Sequence, residues 1–180
     1  MSLFASVADF DRLIAALPQV DVVTQNKAAV RQSQLTKPPG SLGKLEDIAI
    51  WMAGWQRSER PDIEHGQCIV FAGNHGVVAQ GVSPFPADVT AQMVQNFEAG
   101  GAAINQLCRV AGLDLRVSAI QLDTPTRDFT TGPAMTDDEV LAAMNAGAES
   151  IADDCDYLIV GEMGIGNSTA AAALCLGRFG

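Results

Sequence analysis

The sequence predicts an α/β fold built on a small parallel sheet. Short apolar runs at residues 68–72, 115–122 and 157–160 have the length of strands, and the first and last run into Gly73 and Gly161. Segments of helical period lie between and after them, at residues 87–109, 137–152 and beyond 166. Strand–helix alternation of this spacing requires parallel pairing through right-handed crossovers.

Two amphipathic helices are expected to open the chain, at residues 6–17 and 21–35, with Asp21 capping the second. Pro38-Pro39 and the nearby Gly40 and Gly43 forbid a continuous helix there. A third helix is read over residues 44–56, where Leu45, Ile48, Ala49, Met52 and Trp55 recur at helical spacing. After the first strand, a long loop over residues 74–86 precedes one long helix, 87–109. The strand at 115–122 leads through a polar loop to the helix at 137–152, for which Thr136 is the expected cap. The third strand and a final helix complete the order. The strand–helix alternation predicts Gly73, Asp123 and Glu162 at one sheet edge.

Nearly half of the 180 residues are apolar and 18% are charged, a globular composition sufficient for a real core. A formal charge of −10 argues against a nucleic-acid surface, which needs clustered basic residues. No apolar run approaches the roughly 18 residues of a membrane span, and the first ten residues lack the features of a signal peptide. Cys68, Cys108, Cys155 and Cys175 stand far apart and read as reduced thiols, mostly in the core, of a cytoplasmic protein. His65 and His75, the two histidines, have no cysteine cluster beside them, so neither a metal nor another cofactor is expected.

The segment with most chemistry is Gly161-Glu162-Met163-Gly164-Ile165-Gly166-Asn167-Ser168-Thr169. Glycines allow a sharp turn and close approach of backbone to a ligand, above all at Gly164. Asn167, Ser168 and Thr169 are available to cap the following helix, whose free N–H groups and dipole favour a phosphate. Glu162 lies at the end of a strand, where α/β proteins carry their chemistry. The glycines match neither a nucleoside-triphosphatase P-loop nor a dinucleotide fingerprint, so a mononucleotide or sugar phosphate is the expected ligand. Asn74 and His75 occupy a second loop at the same edge; an ordinary turn accounts for them equally well. Lys37 offers a cation beside a rigid turn that is also readable as a hinge. Ser83, Phe85 and Gln92 form a loop-and-helix strip in which Phe85 is placed either to stack on a flat ring or to pack inward.

Several segments together resemble one family. Lys37-Pro38-Pro39-Gly40-Ser41-Leu42-Gly43-Lys44-Leu45-Glu46 is similar to its first signature, and Val70-Phe71-Ala72-Gly73-Asn74-His75-Gly76-Val77 to its second. Val89-Thr90-Ala91-Gln92-Met93-Val94 with Gly100-Gly101-Ala102-Ala103-Ile104-Asn105 resembles the third, and Gly161 to Ala171 the fourth. The family is nicotinate-nucleotide–dimethylbenzimidazole phosphoribosyltransferase, and the motifs occur in its order across nearly the whole chain. The resemblance implies a Rossmann-like parallel sheet flanked by helices, occupying residues 61–180. It implies that residues 1–60 contribute N-terminal helices to a small helical domain. It further implies a homodimer that moves phosphoribose from nicotinate mononucleotide to 5,6-dimethylbenzimidazole, in synthesis of the cobalamin lower ligand. Glu162, Gly164, Gly166, Asn167, Ser168 and Thr169 would then contact ribose and phosphate, with Met163 and Ile165 bordering the base pocket. Ser83, Phe85 and Gln92 would help to hold the benzimidazole.

Two departures from the family stand out. Asn74 replaces the usual Asp, keeping hydrogen bonding and losing the charge. The family's catalytic glutamate and a phosphate-contacting lysine belong to a C-terminal half beyond Gly180, so no residue here is assigned as the base. The chain is therefore expected to be an N-terminal portion, inactive alone. A non-catalytic nucleotide-binding module and another phosphoribosyl- or nucleotide-binding enzyme are the alternatives.

Overall fold

A computed structural model describes residues 3–180. It divides into two compact units: Asp11–Glu64, and residues 3–10 together with His65–Gly180.

The first unit is helical. Helix α1 (Val7–Ala15) runs into it, and α2 (Val22–Gln34) and α3 (Lys44–Gln56) pack on each other. Asp21 caps α2 as expected, accepting from the Val23 and Thr24 N–H groups. Gly54 allows this packing, because a Cβ there would overlap Val20 and Gln25. In the loop between α2 and α3, Lys37 Nζ lies 2.7 Å from Glu46 Oε1, which also accepts from the Leu42 N–H. These bonds brace the proline–glycine turn and hold the Glu46 carboxyl below its ordinary range.

The second unit is α/β. Strands β1 (Gly66–Ala72), β2 (Asp114–Ala119) and β3 (Tyr157–Met163) form a parallel sheet of order β2-β1-β3. The central strand is buried on both faces, so it reads as a continuous apolar run. Gln67 is the exception at 2% exposed, and it is fully engaged: it donates to Ser150 O and accepts from the Ala152 N–H. Residues 67, 69 and 71 therefore face α6 (Asp137–Glu149) and α7 (Asn167–Phe179). Residues 68, 70 and 72 face the opposite layer, where the Cys68 thiol meets Cys108.

Cys68 and Cys108 are buried, whereas Cys175 is exposed. No helix among the described residues is long and apolar enough to cross a membrane.

The expected helix 87–109 is two helices, α4 (Asp88–Glu98) and α5 (Ala103–Ala111). Gly100, at φ 77°, ends the first. Asn105 bridges the break, donating to Phe97 O and accepting from the Ala102 N–H. The second strand also ends sooner than residue 122. Ile120 still donates to Ala72 O, but Gln121 turns to φ 44°, leaving Asp123 in the loop beyond the edge. β3 runs longer than expected, through Gly161 and Glu162. The segment before α1 is tied to α6, because Asn145 exchanges two 2.8 Å hydrogen bonds with the Phe4 backbone.

Candidate functional site

The chain steps from β1 to β2 on one side and returns across β1 to β3 on the other. Crossovers that diverge in this way open a crevice between the C-terminal ends of β1 and β3, the usual ligand position of an open α/β sheet. The two loops singled out by sequence, at residues 73–76 and 164–166, meet at this crevice.

They meet closely. The Gly73 N–H donates to Met163 O at 3.0 Å. A Cβ on Gly164 would run into the Gly73 carbonyl oxygen and lie 3.2 Å from His75 Nε2. The absent side chain at Gly164 thus admits a neighbouring backbone, where sequence reasoning expected it to admit a ligand. Loop 120–126 locks on from the other side. Asn74 Nδ2 donates to Leu122 O at 2.9 Å, the Thr126 N–H donates to Asn74 O, and Gly76 faces the Thr126 carbonyl. Asn74 Oδ1 is buried without a partner among the described residues.

Beside these loops lies a cavity of about 700 Å³. Its floor includes Ser118, Phe71 and Glu162, which form one cross-sheet row in register and so present side chains to the same face. Small residues of α6 and α7, among them Ala142, Ala146 and Ala171, leave the space open beneath the helices. Asn74, His75, Asn167 and Ser168 make up the polar end, with Met163 beside them. The Glu162 carboxylate accepts from Asn167 Nδ2. Burial holds the His75 imidazole below its ordinary pKa, while the Glu162 carboxylate pulls in the opposite direction. The result is a largely apolar slot with the Glu162 carboxylate, the His75 imidazole, the Asn74 and Asn167 amides and the Ser168 hydroxyl grouped together, and a second carboxylate, Glu139, among its other lining residues.

The start of α7 differs from expectation. Its cap is Gly166, in the left-handed conformation at φ 88°, with no side chain to contribute. Asn167, Ser168 and Thr169 are the first helical residues. Their N–H groups donate to Gly164 O, Asn167 Oδ1 and Gly166 O respectively, so the helix start is internally bonded. The Ile165 N–H donates to Thr90 Oγ1. An anion at this end has to displace the Asn167 amide.

The structure brings Asn74, His75, Glu162, Met163, Asn167 and Ser168 to one cavity. Gly164, Ile165, Gly166 and Thr169 shape the turn behind it. Ser83, Phe85 and Gln92 do not line it: the Ser83 hydroxyl accepts from the Phe85 N–H, and Phe85 is 60% exposed. Lys37 belongs to the helical unit, where Glu46 engages its charge. Sequence reasoning missed Ser118, Phe71, the alanine faces and Thr90. Parallel register would have found the first two once Glu162 was placed.

A sequence profile of a phosphoribosyltransferase family matches residues 17–180. The chain belongs to that family. Among its relatives in the family is nicotinate-nucleotide–dimethylbenzimidazole phosphoribosyltransferase of Cereibacter sphaeroides, 56% identical over 98% of this chain and 52% of the relative. The protein of the same name from Ruegeria pomeroyi is 59% identical over 97% of this chain and 52% of its own length. The crystal structure of the Thermus thermophilus protein of that name superposes with a TM-score of 0.80 at 40% identity, covering 86% of this chain and 52% of that one. This phosphoribosyltransferase-family chain therefore spans about half the length of the relatives it matches, and its parallel sheet flanked by helices is the family's architecture.

Proposed function

We propose that this phosphoribosyltransferase-family chain supplies the nucleotide side of a site transferring phosphoribose from nicotinate mononucleotide to 5,6-dimethylbenzimidazole. The products are α-ribazole 5′-phosphate and nicotinate, in cobalamin lower-ligand synthesis. The observation carrying this reading is the crevice at the ends of β1 and β3, where Glu162, His75 and Asn167 converge at one end of an apolar slot. Family membership and relatives of that name support it.

The chemistry suits these groups. A benzimidazole nitrogen forms a bond to the anomeric carbon as the bond from that carbon to the pyridinium nitrogen breaks. Nicotinate leaves with the bonding electrons and needs no proton. The remaining benzimidazole N–H loses its proton to a base, which is assigned to no residue here. Glu162 is the acceptor for ribose hydroxyls and favours the positive charge that develops on the ribose. Ser168 forms the phosphate end at the positive pole of α7, with the phosphate taking the place of Asn167 Oδ1 on the Ser168 N–H and the displaced Asn167 amide turning its N–H donors to it. Met163 and Ile165 border the base. For Ser83, Phe85 and Gln92 a part in holding the benzimidazole rests on resemblance, supported by an exposed Phe85 ring able to stack. Residues 61–180 form the Rossmann-like domain, residues 1–60 contribute to a helical one, and the working form is a cytoplasmic homodimer.

Calorimetric titration of nicotinate mononucleotide into the chain tests the site, and Glu162→Gln is expected to weaken binding by about tenfold, the worth of one charge-assisted hydrogen bond. Turnover by a chain extended to the length of its relatives tests the reaction. Nucleotide affinity unchanged by Glu162→Gln and by Ser168→Ala would refute the assignment.

A further inference from the structure

Thr90 carries a function beyond its place in α4. It is fully buried, and its hydroxyl accepts a 3.1 Å hydrogen bond from the Ile165 N–H, 75 residues away in sequence. Ile165 lies just where β3 leaves the sheet. The last ladder bond there runs from the Gly73 N–H to Met163 O. The next donor on this side, the Ile165 N–H, finds its partner on α4 instead of β1. Gly73 O, which would be its ladder acceptor, lies where a Cβ on Gly164 would fall, and the Ile165 N–H is bonded to Thr90 instead. Without the hydroxyl, the part-buried Ile165 N–H would lose its partner at a position of α4 that is fully buried. The bond therefore fixes where the strand ends, and hence where Gly166 turns and Asn167 begins α7.

We propose that Thr90 is the positioning residue of the Glu162–Ser168 turn. It acts through the Ile165 N–H to hold the nucleotide-contacting groups in place, and it ties the segment carrying Ser83 to Gln92 to the segment carrying Glu162. This rests on the reading of the cavity as the nucleotide site. It also accounts for a β-branched residue with a hydroxyl in the first turn of α4: the methyl fills buried space and the oxygen supplies the acceptor.

Two variants separate the hydroxyl from the packing. Thr90→Val keeps the volume and removes the acceptor; Thr90→Ser keeps the acceptor and removes a methyl. Calorimetry with nicotinate mononucleotide is expected to show about tenfold weaker binding in Thr90→Val and affinity within about twofold of the parent in Thr90→Ser. Amide hydrogen exchange provides an independent readout. The Ile165 N–H should exchange as slowly as β1 amides in the parent protein and faster in Thr90→Val, with β1 itself unaltered. Equal losses in both variants, or rapid Ile165 exchange in the parent, would overturn the proposal even if Thr90→Val fails to fold. A parent that does not bind nicotinate mononucleotide refutes the nucleotide reading instead, and the exchange data still decide the role of Thr90.

Discussion

Replacing Asn74 with Asp should make stability depend on pH. The Asn74 amide donates to Leu122 O at 2.9 Å from a residue that is 9% exposed. An ionised Asp in that geometry sets a carboxylate oxygen against a carbonyl oxygen, with little water to separate them. A protonated Asp restores the donor. Burial and the facing carbonyl both favour the neutral acid, raising its folded pKa above an unfolded value of about 3.9. The sign follows from linkage. Between these two values the folded state binds more protons than the unfolded state, so stability falls as pH rises, by about 1.4 kcal/mol per unit. The variant should lie close to the parent near pH 4. Its deficit should then grow with pH through the folded pKa and level off at about 3 kcal/mol, the upper cost of leaving a buried polar group without its partner. Urea unfolding of Asn74→Asp and of the parent, at pH 5 and pH 8 in the same buffer series, measures the difference. A deficit independent of pH, or no deficit at pH 8, would show that the carboxylate does not face Leu122 O, and the account of how loop 120–126 attaches to β1 would fail.

Other perturbations test the surrounding contacts. Gln67→Leu leaves the Ser150 carbonyl and Ala152 N–H without their buried partner and should cost about 2–4 kcal/mol by chemical denaturation, from two unmade hydrogen bonds. Gly164→Ala should destabilise by at least about 2 kcal/mol, since the added carbon meets backbone that cannot move aside; a variant as stable as the parent would mean that the two loops do not touch as described. His75 should titrate by NMR below 6.5, and Glu162→Gln should lower that value further by removing the charge that opposes burial. Because its folded pKa is depressed, His75 binds fewer protons folded than unfolded, so its contribution is lost as pH falls from 6.5 through the folded value.

What sequence made legible followed local rules. β1 is a buried central strand, so its apolar run sufficed, and Asp21 and Thr136 cap their helices because a short side-chain oxygen before a periodic segment has few other uses. The break between α4 and α5 was written in Gly100-Gly101, yet helical spacing on both sides masked it. The end of β2 depends on a left-handed Gln121, which no residue preference announces. In the site, Asn74, His75 and Glu162 were legible because each follows or ends a strand. Thr90 and the alanine faces were not, since their meaning arises only when α4, α6 and α7 are placed over the sheet.

The position of the Glu162 carboxylate comes from register more than from its loop. Glu162 pairs with Phe71, and Phe71 with Ser118, so all three project into the cavity under α6 and α7. A slip of one residue in β3 would turn the carboxylate to the opposite face, toward the layer of Cys68 and Cys108, since alternate residues point to opposite sides. Gly164 prevents that slip. The position against Gly73 O accepts no Cβ, and a shift in either direction would bring Met163 or Ile165 there. The glycine that reads in sequence as a ligand-approach residue thus acts on function at one remove: it fixes the pairing of β1 with β3, and the pairing decides which side of the sheet receives the charge.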